Sequence, residues 1–178
     1  MRTPNHTITL LDASLANTLL DGFVDVLCDS VNNGASVGFL PPFPPEDAAA
    51  YWHEVFAGVA RGSILLWAAH DEDSRVLGTV QLHPVGKPNG SHRAEVAKLL
   101  VHTTARRRGI ARALMAALED EARRLRRSTL VLDTRQGDLA EPLYQSLGYT
   151  VAGAIPKYAL NGEGGVDATV FYYKLLGA

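Results

Sequence analysis

The chain has 178 residues, 47% of them hydrophobic and 20% charged, with a formal net charge of −2. This is the composition of one globular α/β-sized domain with a real core, expected to span 1–178. It argues against a protein that grips nucleic acid by overall basicity, the interrupted apolar stretches argue against a membrane span, and the single cysteine, Cys28, rules out an internal disulfide framework.

Taken in chain order, "TITLL" (7–11) reads as a strand and residues 14–28 as a helix that carries Cys28 into the core. Asp12, Asn17 and Asp21 break the N-terminal apolar run, so no signal-peptide pattern is expected, and a reducing, cytoplasmic location fits. "LPPFPPEDAAAYW" (40–52) is a loop leading into a helix over 45–60, with Pro45 in the first turn and Glu46 and Asp47 at the positive end. "SILLWAAH" (63–70) and "RVLGTVQLHPV" (75–85) form a hairpin across "DEDS". "AEVAKLLVHTT" (94–104) is a third strand, with Lys98 on the opposite parity from Glu95. A helix over 109–127 follows, its apolar stripe running through Ile110, Leu114, Ala117, Leu118 and Ala122. "STLVLDT" (128–134) is a strand. "GDLAEPLYQSLGY" is a short helix with Asp138 as N-cap, Glu141 three residues on and Gly148 at its stop. "YTVAGAI" and "DATVFYYKLL" close the chain as strands around "NGEGG". The sum is a mixed α/β fold.

"TTARRRGIARAL" (103–114) joins the third strand to the long helix. A helix N-terminus offers unpaired backbone N–H groups and a partial positive charge, which together make an anion site. Gly109 lets an anion approach the backbone, Ala111 keeps the next inward position small, and Arg106, Arg108 and Arg112 add full charges. Eight of the 17 Lys and Arg residues fall between Arg106 and Arg127, so a nucleic-acid patch and a solvated charged face are the competing readings. Against the first, Glu119–Arg123 and Asp120–Arg124 are spaced to neutralise each other, and no aromatic residues interleave for base stacking. The run spells neither G-x-G-x-x-G nor a Walker A loop.

On "RRRGIA", set in "AEVAKLLVHTTARRRGIARALM" and followed by "LYQSLGY" (143–149), the sequence resembles the GCN5-related N-acetyltransferases. The likeness runs from about residue 60 to the C-terminus. "NNGASVGF" (32–39) and "KPNGSHRAEVAKLLV" (87–101) are also similar to the tabtoxin-resistance acetyltransferases within that family. The chain departs from the family pattern at Thr103, where Pro is frequent, and at Arg107, where Gly is frequent. Only Gly109 and Ala111 read as sterically demanding. The frequent asparagine after the next strand is not evident in "DTRQGD".

The resemblance implies a twisted, mostly antiparallel sheet of about seven strands, splayed in the middle and flanked by four or so helices. It implies acetyl-CoA as cosubstrate and no metal. Leu100 and Val101 would pair with pantetheine through their backbone. Arg106, Arg107, Arg108, Gly109, Ile110, Ala111 and Arg112 would hold the diphosphate. An N–H of the first splayed strand would polarise the thioester carbonyl. Glu95 and Asp133 are the carboxylates placed to attract an ammonium and take its proton, and Tyr144 matches the family's general acid.

The implied partner is a small-molecule amine, by the closer likeness an amine-bearing amino-acid antibiotic of the tabtoxinine-β-lactam kind, which suggests antibiotic or toxin resistance. Aminoglycosides, polyamines and peptide N-termini suit the same acids. A non-catalytic acyl-CoA sensor and a protein or peptide N-acetyltransferase are the alternatives. Neither nucleic acid nor membrane is expected as a partner, and the chain is read as monomer or homodimer. "GASVG" (34–38) spells a nucleophile elbow but lacks its strand and helix, so Ser36 reads as part of a substrate-facing loop. His83 and His102 read as strand residues, His53 lacks a second histidine at ligand spacing, and Trp52 and Trp67 read as packing residues.

Overall fold

The computed structural model describes residues 6–177; the first five residues of the segment read for a signal sequence, and residue 178, lie outside the described residues. Among the described residues seven strands form one open sheet: β1 (Thr7–Leu11), β2 (Leu65–His70), β3 (Val76–Pro84), β4 (Arg93–Val101), β5 (Thr129–Arg135), β6 (Thr150–Leu160) and β7 (Val166–Leu175), in the spatial order β1-β2-β3-β4-β5-β7-β6. Every neighbouring pair is antiparallel except β4 and β5, which run parallel. Five α-helices accompany the sheet: α1 (Ala13–Thr18), α2 (Leu20–Asn32), α3 (Pro45–Ala60), α4 (Ile110–Arg124) and α5 (Glu141–Ser146). None of the helices is long and apolar enough to cross a membrane.

β2 and β3 are central and covered on both faces, which is why they read as near-continuous apolar runs. One core lies between the sheet and the α4 stripe of Ile110, Leu114, Met115, Leu118 and Ala122. The other lies under α2 and α3, around Phe23, Leu27, Trp52 and Phe56. Fully burying a side chain such as Leu114 stabilises by about 1.5–3 kcal/mol, and the cavity left by Leu114→Ala would raise the cost to about 2–5 kcal/mol. Gly78 lets β3 and β4 close up beneath α4: a Cβ there would stand 2.6 Å from the Leu100 carbonyl oxygen and 3.3 Å from Ile110.

Several expectations shift. The single helix over 14–28 is two, because Leu19 leaves helical conformation (φ −104, ψ 10) and α2 then runs on to Asn32. The third strand stops at Val101. His102 is not a strand residue: its ring accepts the Thr104 N–H and caps a 3₁₀ turn, Thr103–Ala105. The N-cap of α5 is Ala140, not Asp138; Asp138 Oδ1 takes the Ala140 N–H at 2.9 Å, and Glu141 reaches back to the Gly137 N–H. On α4, Arg123 does meet Glu119 at 3.5 Å, but Asp120 pairs with Arg123 and Arg124 with Glu121, both three residues apart instead of the expected Asp120–Arg124. β6 continues five residues past "YTVAGAI" to Leu160.

Candidate active site

β4 and β5 stay paired only from Arg93–Thr129 to Glu95–Val131, and then part. Opposite this split, Gln81 pairs with Ala97 and Thr79 with Leu100, so Lys98 and Leu99 together face Val80 alone. That β-bulge bends β4 away from β5 and re-aims its side chains. Lys98 takes a left-handed conformation there, with φ +51. The parity argument from a regular strand therefore fails at Lys98. It lines the same cavity as Glu95, Asp133 and Tyr144, a space of about 630 Å³ between the parted strands.

At one end of the cavity stands the 103–112 turn. Thr103 donates its N–H and its hydroxyl to the Asp29 carboxylate at 2.8 and 2.7 Å, which ties the turn to α2. A proline at 103 could not make the first bond. His102 Nε2 lies 3.5 Å from Asp25 and 3.7 Å from Asp29 and braces the same joint. Gly109 caps α4 with φ +80, and a Cβ on it would meet open space. The demand for glycine there is conformational as well as one of approach. Arg107 also has a positive φ, +62, so position 107 is a third demanding site, contrary to the reading from sequence.

The guanidinium groups of the turn bond to neutral oxygens: Arg106 to the Val101 carbonyl at 3.2 Å, Arg108 to the Thr104 carbonyl at 2.8 Å, and Arg112 to Ser146 Oγ at 2.7 Å. Among the described residues no carboxylate neutralises these three or Arg107, whereas Arg123 and Arg124 on the same helix are each ion-paired. The turn thus keeps its positive charge beside the open N–H groups of α4. Leu100, Val101, Arg106 and Ala111 line the cavity directly. Arg107, Arg108, Gly109 and Arg112 lie on the turn outside its lining, and the Ile110 side chain is buried in the core, leaving its backbone as the part able to meet a ligand. The Val101 carbonyl accepts one bond from Arg106 and keeps a second lone pair.

Tyr144 projects from α5 into the core and is 6% exposed. Its ring packs against Tyr149 and Tyr172, with centroids 5.9 Å apart in both pairs. Burial, then the negative charges of Asp138 and Asp133, push the phenol well above its ordinary value, so it keeps its proton. Glu95 and Asp133 are both solvent-facing at the cavity wall, and Asp133 Oδ2 is oriented by the Thr169 hydroxyl at 2.8 Å.

Behind Lys98 lies a polar chain, buried at Gln81 and half-buried at Tyr51 and His83, that sequence reading missed. His83 Nε2 donates to Gln81 Oε1 at 2.9 Å, and Gln81 Nε2 donates to the Tyr51 oxygen at 3.0 Å. Burial pushes the Tyr51 phenol up to about 12, against the opposing pull of the Gln81 bond. The His83–Gln81 bond is local, two residues apart, whereas the Gln81–Tyr51 bond and the Thr103–Asp29 bond of the turn span 30 and 74 residues, and no short-range pattern encodes them. No group of three or more His, Cys, Asp or Glu able to hold a metal is present among the described residues.

The model of the acetyltransferase (GNAT) family matches residues 29–149. The fold is similar to that of an N-acetyltransferase from Staphylococcus aureus Mu50 (TM-score 0.79, 22% identity, covering 97% of this chain and 99% of that one). It is also similar to a phosphinothricin acetyltransferase from Sinorhizobium meliloti in complex with acetyl-CoA (TM-score 0.78, 19% identity, 97% and 89%). A ribosomal-protein-alanine N-acetyltransferase from Brucella melitensis superposes as well (TM-score 0.74, 22% identity, 96% and 99%). At these identities the likeness speaks for the fold, and the acceptors of the three named proteins differ in kind or are not stated.

Proposed function

The chain belongs to the acetyltransferase (GNAT) family, and from that premise we propose that residues 1–178 act as one domain that moves an acetyl group from acetyl-CoA to an amine of a small molecule. The observation that carries this reading is the split between β4 and β5, with an uncompensated cationic turn at one end and the carboxylates of Glu95 and Asp133 at its wall. Acetyl-CoA supplies the activated carbonyl and a thiolate leaving group. The residues fit it: Gly109 opens the α4 N-terminus without obstruction, and Arg106, Arg107, Arg108 and Arg112 carry charge that no carboxylate among the described residues cancels. Those residues, with the backbone of Ile110 and Ala111, would hold the diphosphate. The free edge of Leu100 and Val101 would take the pantetheine amides, and the Lys98–Leu99 bulge, where the regular register with β3 is interrupted, would offer an N–H for the carbonyl oxygen.

An amine with a pKa near 10.4 arrives as ammonium and must lose a proton before its nitrogen can attack. Glu95 or Asp133 attracts that cation and takes the proton, directly or through water. Tyr144 holds its proton at neutral pH and delivers it where a thiolate departs. The likeness of "NNGASVGF" to the tabtoxin-resistance acetyltransferases supports a toxin or antibiotic with a free amine as the acceptor, and a cytoplasmic location fits that role.

The test is acetyl-CoA-dependent thiol release over a panel of amines, repeated with Tyr144→Phe. Wild-type protein should turn over at least one amine. The variant should keep its affinity for acetyl-CoA while kcat falls about 10²–10⁴-fold. Tight acetyl-CoA binding with no turnover of any amine would favour the sensor reading instead.

A further inference from the structure

One wall of the cavity is the 33–38 loop, which presents Asn33, Ser36 and Gly38; another is the end of β4 with the turn, which presents Val101, Arg106 and Ala111. A carboxylate that does not line the cavity sets the two against each other. Asp29, on α2, accepts the Thr103 N–H at Oδ2 (2.8 Å) and the Thr103 hydroxyl at Oδ1 (2.7 Å). Its side chain is 13% exposed, and His102 Nε2 stands 3.7 Å from the same Oδ1. Among the described residues, every hydrogen bond between α2 and the turn ends on Asp29.

The loop is fastened to the same helix. Asn33 caps α2: its Nδ2 donates to the Asp29 carbonyl at 2.7 Å and lies 3.3 Å from Asp29 Oδ1, and its N–H donates to the same carbonyl at 3.1 Å. Gly34 and Ala35 donate their N–H groups to the Val31 and Ser30 carbonyls, each at 3.0 Å. Asn32 closes the far end, taking the Phe43 N–H at Oδ1 (3.0 Å) and donating Nδ2 to the Phe43 carbonyl (3.2 Å). The loop therefore begins and ends on the last turn of α2, whose inner face is held in the core by Phe23, Val26 and Leu27. Loop and helix form one piece, and the Asp29 carboxylate is where that piece meets the turn. Hydrogen bonds to an ionised carboxylate are the strong kind. Thr103 supplies both donors, and a proline there would supply neither.

We propose that Asp29 is a positioning residue that holds the 33–38 loop in register with the turn, so that a coenzyme seated on the turn also steadies the loop across the cavity. This rests on the reading of the turn as the diphosphate site. Asp29 touches neither coenzyme nor acceptor, and it moves no proton. A ligand that quiets the turn removes motion from Thr103. With Thr103 bonded at two points to one carboxylate, α2 and its loop lose that motion as well, and amide exchange reads the loss. Without the carboxylate, turn and loop open independently.

The experiment measures backbone amide hydrogen exchange of the full chain with and without saturating CoA, alongside CoA affinity by calorimetry. In the wild type, CoA should slow exchange by about threefold or more in the turn and in the 33–38 loop alike. Asp29→Ala removes the joint from one side. Thr103→Pro removes it from the other and keeps the turn, because His102 already has the extended conformation that precedes a proline (φ −51, ψ 137). In both variants CoA should still protect the turn, the loop ratio should fall close to one, and affinity should drop by less than about tenfold, since the amides and guanidinium groups remain. The double variant should be no worse than either single one, because both cut the same contact. Asp29→Asn keeps an oxygen for the Thr103 N–H and an amide that can donate to its hydroxyl, and should recover most of the loop protection. Loop exchange that does not respond to CoA in the wild type would overturn the proposal. So would loop protection that survives in both variants, which would mean that CoA touches the loop directly. No CoA binding by the wild type would remove the coenzyme reading of the turn and the joint with it. If the loop responds as expected but no amine is acetylated, the joint stands and the transfer reading falls. If amines are acetylated while the loop stays unresponsive, the transfer reading stands and the joint falls.

Discussion

At the turn end of the cleft, the groups that face an anion come from one consecutive run, Arg106 to Arg112, and much of the work falls to backbone N–H groups and to the φ values of Arg107 and Gly109. At the acceptor end, Glu95, Lys98 and Asp133 stand on two separate strands and rely on Phe39, Tyr51, Gln81 and Thr169 from other parts of the chain. A site made of backbone amides and four guanidinium groups is redundant: losing one side chain leaves most of its field in place. A site made of single side chains has no such reserve. The first end should tolerate side-chain changes and resist backbone ones, and the second should do the opposite.

The strongest way to break this contrast is at the two acids. Glu95→Gln and Asp133→Asn should each leave acetyl-CoA affinity unchanged. The one that removes the proton acceptor should lower kcat/KM by about 10²–10⁴-fold, and the other, which removes only attraction for the ammonium, by about tenfold. Thiol release and calorimetry on the same samples check both halves. If either variant weakened acetyl-CoA binding as much as it slowed turnover, the two ends would not be separable.

The turn end is tested by Gly109→Val. A β-branched residue at φ +80 costs about 1–3 kcal/mol in that conformation and crowds the approach to the amides. Acetyl-CoA affinity should fall about 30-fold, while Arg108→Ala should cost less than about fivefold, since its guanidinium is exposed and three others remain. Arg107→Gly works in the opposite sense. Relief of a left-handed arginine outweighs the extra chain entropy of glycine by about 0.5–1 kcal/mol, which should raise Tm by about 2–3 °C in thermal unfolding.

The same contrast explains what was legible in the sequence. The turn could be read because its parts are adjacent: a strand ends, arginines cluster, a glycine caps and an amphipathic stripe begins. Tyr144 was singled out through its neighbours in "LYQSLGY", also a local signal, and it lines the cavity. The two carboxylates were reached from the positions of their strands, which needs only the order of the elements. Lys98 was missed because alternation assumes an unbroken ladder, and one extra residue between Ala97 and Leu100 breaks it. Asp29 and Gln81 were missed for a different reason: their partners lie far away in sequence, and nothing next to either marks the bond. The break at Leu19 escaped because an apolar stripe continues on both sides of it.

The smallest expected effect concerns His83, the outer member of the chain behind Lys98. Burial lowers its pKa below 6.5, with Lys98 adding to the shift and Glu95 opposing it. The unfolded chain therefore binds a proton at 83 more readily than the folded one. The contribution to stability is fully present above pH 6.5 and is lost as the pH falls toward the folded value, since protonation favours the unfolded state. His83 is partly open to solvent, so the effect is screened and should amount to a Tm change on the order of 1 °C between pH 7.5 and pH 5.5. His83→Gln keeps a donor for Gln81 but cannot titrate, and its stability profile should be flatter than that of the wild type by that amount.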